Sequence, residues 1–147
     1  MKKQMNAVRD FHKQIRAEVA HRPCLLNHCE ESAREFATAV RELCDRFTNH
    51  PEGRSGLMAR TLMSLEETAE WLEAHAELDI NAAADAWGDR AYILFGDAVA
   101  TGIPVEQIFD IVHESNMTKS AANPMTGKAV KGGGYVRPRI DLPDREI

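Results

Sequence analysis

From Phe36 to Phe47 the large apolar residues fall at Phe36, Val40, Leu43 and Phe47, in steps of four, three and four. That rhythm is the period of an amphipathic α-helix, and a strand cannot reproduce it. Most of the chain up to residue 118 reads the same way. Val8, Phe11 and Ile15 mark a first short helix, and His21 to Asn27, with Pro23, marks a break. The second helix is predicted to end before Asn49-His50-Pro51, because the residue preceding a proline avoids the helical region. Glu52-Gly53-Arg54-Ser55-Gly56 reads as a turn, with Ser55 capping the next helix. That third helix is predicted from Gly56 to Leu78, with Met58, Leu62, Leu65, Ala69, Leu72 and Ala76 as its core stripe. A fourth starts near Asn81, a good N-cap residue, and stops at Gly102. Pro104 opens a fifth, with Val105, Ile108, Phe109 and Val112 as the buried side.

After Met117 the pattern stops. Asn123-Pro124, Gly127 and Gly132-Gly133-Gly134 forbid a continuous helix, so this part is expected to be loop or short extended structure. The expected fold is all-α: a bundle of four or five helices over residues 1–118, with a glycine-rich basic tail over 119–147, as one domain. No apolar run reaches the length of a membrane span. The basic start, Met1-Lys2-Lys3, is followed by no apolar segment, so a signal peptide is not expected. Three cysteines, Cys24, Cys29 and Cys44, cannot all pair with one another, which fits free thiols in the cytoplasm.

A net charge of −5 argues against a nucleic-acid binder, and its distribution says more. From Thr61 to Asp89 there are eight acids and no Lys or Arg, whereas from Lys119 to Ile140 there are five bases and no acid. Glu66, Glu67 and Glu70 lie within about a quarter turn of one another on the third helix. On the fourth, Asp85, Asp89, Tyr92 and Gly96 form a line flanked by Gly88, Phe95 and Val99 on one side and Ala82, Ala86 and Ile93 on the other. Carboxylates in an apolar surface are costly unless paired or bound to metal, and neither helix supplies an obvious basic partner. Facing carboxylates between helices suit Mg²⁺ or Mn²⁺. Glu73, Glu77 and Asp79 read instead as an ordinary solvated face.

Taken in order, "EETAE", "DAWGD", "YILFGDAVATGI" and "VHESNMTK" resemble the all-α NTP pyrophosphatases, in particular the MazG-like and phosphoribosyl-ATP pyrophosphohydrolase-like group. The similarity runs from Arg60 to Pro138. It implies an E-E-x-x-E and an E-x-x-D motif on successive helices, holding Mg²⁺ for cleavage of a nucleoside triphosphate between its α and β phosphates. On that resemblance Glu67, Glu70 and Asp89 are metal ligands, and Glu66 orients or deprotonates the attacking water, or serves as a further ligand. The second motif departs from the family pattern, because its glutamate position is Ala86. Asp85, facing the same way as Asp89, is the expected replacement, which leaves the number of metals open. A homodimer or higher homo-oligomer is also expected, since short bundles of this group resemble halves of a larger core.

The tail supplies the opposite charge. Lys119, Lys128 and Lys131 are candidates for phosphate binding, and Asn116 and Tyr135 for phosphate, base or sugar. The departure at Ala86 keeps a second hypothesis open, a nucleotide-binding or regulatory module of the same fold without turnover. A purely structural helical scaffold is the third. His21, Cys24, His28 and Cys29 have spacings compatible with zinc but no second cluster, so chance is the better explanation. Trp71 and Trp87 are candidates for stacking on a base, with core packing the commoner fate of an aromatic at helical spacing, and His113 is expected to sit at a helix end.

Overall fold

A computed structural model describes residues 1–51 and 55–142, so Glu52-Gly53-Arg54 of the expected turn lies outside the described residues. The chain is all-α, with five helices and one short hairpin among the described residues: α1 (Lys2–Ile15), α2 (Glu30–Thr48), α3 (Gly56–Ala76), α4 (Ile80–Thr101), α5 (Val105–Met117), β1 (Ser120–Ala122) and β2 (Ala129–Val130). It divides into two compact units. One comprises α2, α3 and α4 (Arg22–Gly102), and the other joins Met1–His21 to Ile103–Ile147.

In the first unit α3 packs against both α2 and α4. Its α2 side is the expected stripe: Leu62 and Ala69 are buried with Val40 and Cys44, and Phe47, Leu65 and Leu72 pack around them. The stripe of α2 is the expected one at Val40 and Phe47 but not at Phe36. Ala33, Ala37, Val40 and Cys44 are the buried positions, whereas Phe36 is 61% exposed. Residue size drew the expectation to Phe36, but the small residues are the ones that let the two helices approach closely.

On the opposite side of α3, about half a turn from Leu62, Arg60 and Trp71 meet α4. Arg60 donates to Asp97 and, at 3.1 Å, to the Ile93 carbonyl. Gly96 leaves room for this contact, since a Cβ at that position would displace the Arg60 guanidinium. Arg90 lies over the Trp71 ring, 5.5 Å from its centre. Trp71 is thus part of the packing as expected, whereas Trp87 is exposed. Ala83 and Ala86 are the buried residues of α4.

Local chemistry explains the helix ends. Ser55 accepts from the Met58 N–H and caps α3 as expected. α4 is capped by Asp79, not Asn81: the Asp79 carboxylate accepts from the Asn81 and Ala82 N–H groups at 2.8 and 3.1 Å. Asp79 is therefore more than a solvated acid, because it satisfies donors that α4 leaves unpaired at its start. Gly102, at φ 70°, ends α4 as expected. α3 closes with the Leu78 N–H on the His75 carbonyl and the Asp79 N–H on the Ala74 carbonyl, with Leu78 in the left-handed region at φ 58°.

The segment before α2 is tied down by two histidines. Buried His75 donates from Nδ1 to the Trp71 carbonyl and accepts at Nε2 from the Leu26 N–H. His28 reaches the His75 carbonyl through Nε2 at 2.8 Å. His28 therefore has a packing role.

In the second unit α1 packs on α5 and on β1. Gln14 donates to the carbonyls of Met117 and Lys119, both at 2.9 Å, and so fixes the chain where it leaves α5. The expected buried side of α5 is only half-covered; its buried residue is Ser115, which donates to the Val136 carbonyl at 2.7 Å. The tail forms an antiparallel pair, with Ser120 opposite Val130 and Ala122 opposite Ala129. Its turn is held by the Asn123 side chain accepting from the Met125 N–H, and Gly127 takes the left-handed conformation, φ 66°, that closes it.

Candidate active site

The acids of α3 lie on the edge between its two packed sides. Counting at about 100° per residue from Leu62, Glu73 and Glu66 come first, then Glu70 and then Glu67. Glu67 is the furthest from the α2 stripe, yet one of its carboxylate oxygens, Oε2, is buried and has no hydrogen-bond partner. α4 packs against α3, with Ala83 and Ala86 as its buried residues. Burial, followed by the charges of Glu70, Asp89 and Glu66, raises the Glu67 carboxyl above the ordinary glutamate range; Arg41 opposes them.

Four of the residues singled out from sequence, Glu66, Glu67, Glu70 and Asp89, therefore share one electrostatic neighbourhood. Asp89 stands at the edge of the buried stripe of α4, and Asp85 about 40° further round toward solvent. Ala86, the position of the missing motif glutamate, is 3% exposed. As placed, no three Asp, Glu, His or Cys side chains among the described residues are gathered closely enough to hold a metal ion. The donor set nevertheless suits a hard divalent cation, as it is all carboxylate oxygen and one buried oxygen is unpartnered.

Nothing between Thr61 and Asp89 signals that a base would meet these acids, yet one does. Arg41 of α2 donates from Nε and Nη2 to the two carboxylate oxygens of Glu73, at 2.9 and 2.7 Å. Its Nη2 is also 3.7 Å from Glu70 Oε1. The fork holds the Glu73 carboxyl below the usual range. Glu73 is accordingly an ion-pair partner, in place of the solvated acid expected. One local signal existed: Arg41 lies one turn from both Ala37 and Cys44, on the flank of the buried stripe of α2.

The basic candidates all lie in the other unit. Asn116 is near the end of α5, and its carbonyl accepts from the Lys119 N–H. Lys128 is exposed in the hairpin, and Lys131 lies over the Tyr135 ring at 5.1 Å. Ser115 and Thr118 fasten the segment at Val136, with Thr118 Oγ1 accepting from the Val136 N–H at 2.9 Å. A set of acids around one unpartnered carboxylate suits a reaction that needs no side-chain nucleophile, such as hydrolysis of a phosphoric anhydride.

An all-α chain with this acidic edge falls in the class of nucleotide pyrophosphohydrolases, hydrolases that act on phosphoric anhydrides. The chain matches the family model of phosphoribosyl-ATP pyrophosphohydrolase over residues 8–116, and it belongs to that family. The match begins well before Arg60 and ends at Asn116, leaving the basic hairpin beyond it. No curated protein and no solved structure matches the chain.

Proposed function

We propose that the chain is a Mg²⁺-dependent nucleoside triphosphate pyrophosphohydrolase, with Mn²⁺ able to replace Mg²⁺. The observation that carries this reading is the buried, unpartnered Oε2 of Glu67 among the charges of Glu66, Glu70 and Asp89. An orphaned carboxylate oxygen beside three further acids is an arrangement that a divalent cation relieves. Glu67, Glu70 and Asp89 would hold the metal, with Asp85 as the outer carboxylate. When bound, Mg²⁺ supplies charge neutralisation at the α-phosphate and for the departing pyrophosphate.

The protein's own part is to position and to accept a proton. Glu66, half-buried on the same edge, orients a water and takes its proton as the water oxygen attacks the α-phosphorus. The bond from the α-phosphorus to the α–β bridging oxygen breaks, giving a nucleoside monophosphate and pyrophosphate. Lys119, Lys128 and Lys131 contact phosphate, and Asn116 and Tyr135 contact phosphate, base or sugar. Exposed Tyr92, Phe95 and Val99, within about 60° of one another on α4, support a homodimer, because an apolar strip of that kind is normally covered. No described helix is long and apolar enough to cross a membrane. The free cysteines support a cytoplasmic setting.

The test is pyrophosphate and monophosphate release from a panel of ribo- and deoxyribonucleoside triphosphates and phosphoribosyl-ATP, with Mg²⁺ and with EDTA. Release in Mg²⁺ that disappears in EDTA and in Glu67→Gln is expected. Turnover unchanged in EDTA would sink the metal reading, and activity on phosphoribosyl-ATP alone would overturn the substrate assignment.

A further inference from the structure

Arg41 is fixed to an unusual degree for a residue at the rim of an acidic edge. Its fork to Glu73 uses two donors and sets the plane of the guanidinium, a geometry that lysine cannot copy. From that position Nη2 also reaches toward Glu70, at 3.7 Å. The same charge acts on Glu67, against burial and the three neighbouring acids. The other arginines of α2, α3 and α4 are engaged elsewhere: Arg34 on the Ala76 carbonyl, Arg46 over Phe47, Arg60 on Asp97 and the Ile93 carbonyl, and Arg90 over Trp71.

The spacing of the acids makes Arg41 selective. Glu67, Glu70 and Glu73 follow one another at intervals of three, so all three belong to one helical edge. The fork occupies both oxygens of Glu73 and removes it from any ligand set, while Glu70 keeps only a longer ionic contact. We infer that Arg41 is a positioning residue that reserves Glu73, leaves Glu67 and Glu70 to a divalent cation, and by its own charge sets how tightly that cation is held. The inference rests on the metal-binding reading above. It goes beyond that reading in assigning a determinant of affinity outside the carboxylates.

The experiment measures Mn²⁺ binding to the full chain, by the loss of the free-ion electron paramagnetic resonance signal at fixed ionic strength, without nucleotide. Arg41→Gln removes a positive charge beside the cation and is expected to bind Mn²⁺ roughly tenfold tighter than wild type. Glu73→Gln frees the guanidinium to move onto Glu70 and is expected to bind more weakly. Arg41→Lys, which keeps the charge, should stay within about threefold of wild type. A salt bridge of purely structural value would change affinity in the same direction when either partner is removed, so the opposite signs are diagnostic. Equal affinity for Arg41→Gln and wild type overturns the inference, as does a lysine variant that matches the glutamine one. Should Arg41→Gln fail to fold, Glu73→Gln and Arg41→Lys still decide it, since tighter binding by Glu73→Gln contradicts it. Glu67→Gln is the control: if it binds Mn²⁺ like wild type, the metal reading itself has failed.

Discussion

Asp89 of α4 adds its charge to the burial that holds Glu67 of α3 above the ordinary glutamate range, along with Glu70 and Glu66. Two helices are thus packed together across a repulsion. A group raised in this way favours the protonated folded state, so its contribution to stability falls as pH climbs through the glutamate range. Without metal, Glu67→Gln should therefore be more stable than wild type at pH 7, by about 0.2–0.5 kcal/mol for each like-charged neighbour relieved. The advantage should vanish below the ordinary value of 4.5, where the wild-type carboxyl is protonated in both states. Thermal melts in EDTA across that range check this, and a wild type that stays the more stable at pH 7 contradicts it.

The start of α4 offers a test free of any functional assumption. Asp79 accepts from two backbone N–H groups, whereas Asn81 contributes only its backbone N–H to that cap. Asp79→Ala should cost about 1 kcal/mol, the usual value of an N-cap. Asn81→Ala should be close to neutral, as alanine is the better helix former. Urea melts of the two variants separate them, and equal losses would place the cap wrongly.

Asp79 and Asn81 also show where the sequence stopped being informative. Both are good cap residues two positions apart, and periodicity cannot choose between them. The α3 stripe was legible because Leu62, Leu65, Ala69 and Leu72 repeat at helical spacing and all face one partner. α2 was legible as a helix, with Val40 and Phe47 rightly on its packed side, but the eye follows Phe36 where the packing follows Ala33 and Ala37. Glu66, Glu67 and Glu70 stood out through composition, but the burial of Glu67 did not. It depends on how the helices pack, which the pattern of α3 alone does not record. Arg41 was missed for the same reason: its partners Glu70 and Glu73 are remote in sequence, and a search of Thr61 to Asp89 for bases could not find it.

Asp85 and Asp89 provide a graded prediction. Asp89 acts on Glu67, whereas Asp85, exposed like Asp89, lies further round α4 from its buried residues. Asp89→Asn is expected to lower pyrophosphate release by about a hundredfold or more, corresponding to about 2.7 kcal/mol of transition-state stabilisation. Asp85→Asn is expected to lower it by about tenfold or less. Steady-state rates at saturating Mg²⁺ measure both. An Asp85 variant as inactive as the Asp89 one would mean that Asp85 fully replaces the glutamate absent at Ala86.

The thiols should differ in reactivity according to their surroundings. Cys29 is exposed at the start of α2, where hydrogen bonds from the backbone and side chain of Ser32, and then the backbone of Glu31, lower its thiol below the usual range. Cys44 is buried against α3, and burial raises it. The thiolate is the reactive form, so both exposure and ionisation favour Cys29. Iodoacetamide at pH 7 should therefore modify Cys29 at least about tenfold faster than Cys44, as followed by peptide mass spectrometry. Ser32→Ala should slow the reaction at Cys29 while leaving Cys44 unchanged. Alkylation of Cys29 no faster than that of Cys44 would contradict this account of the two thiols.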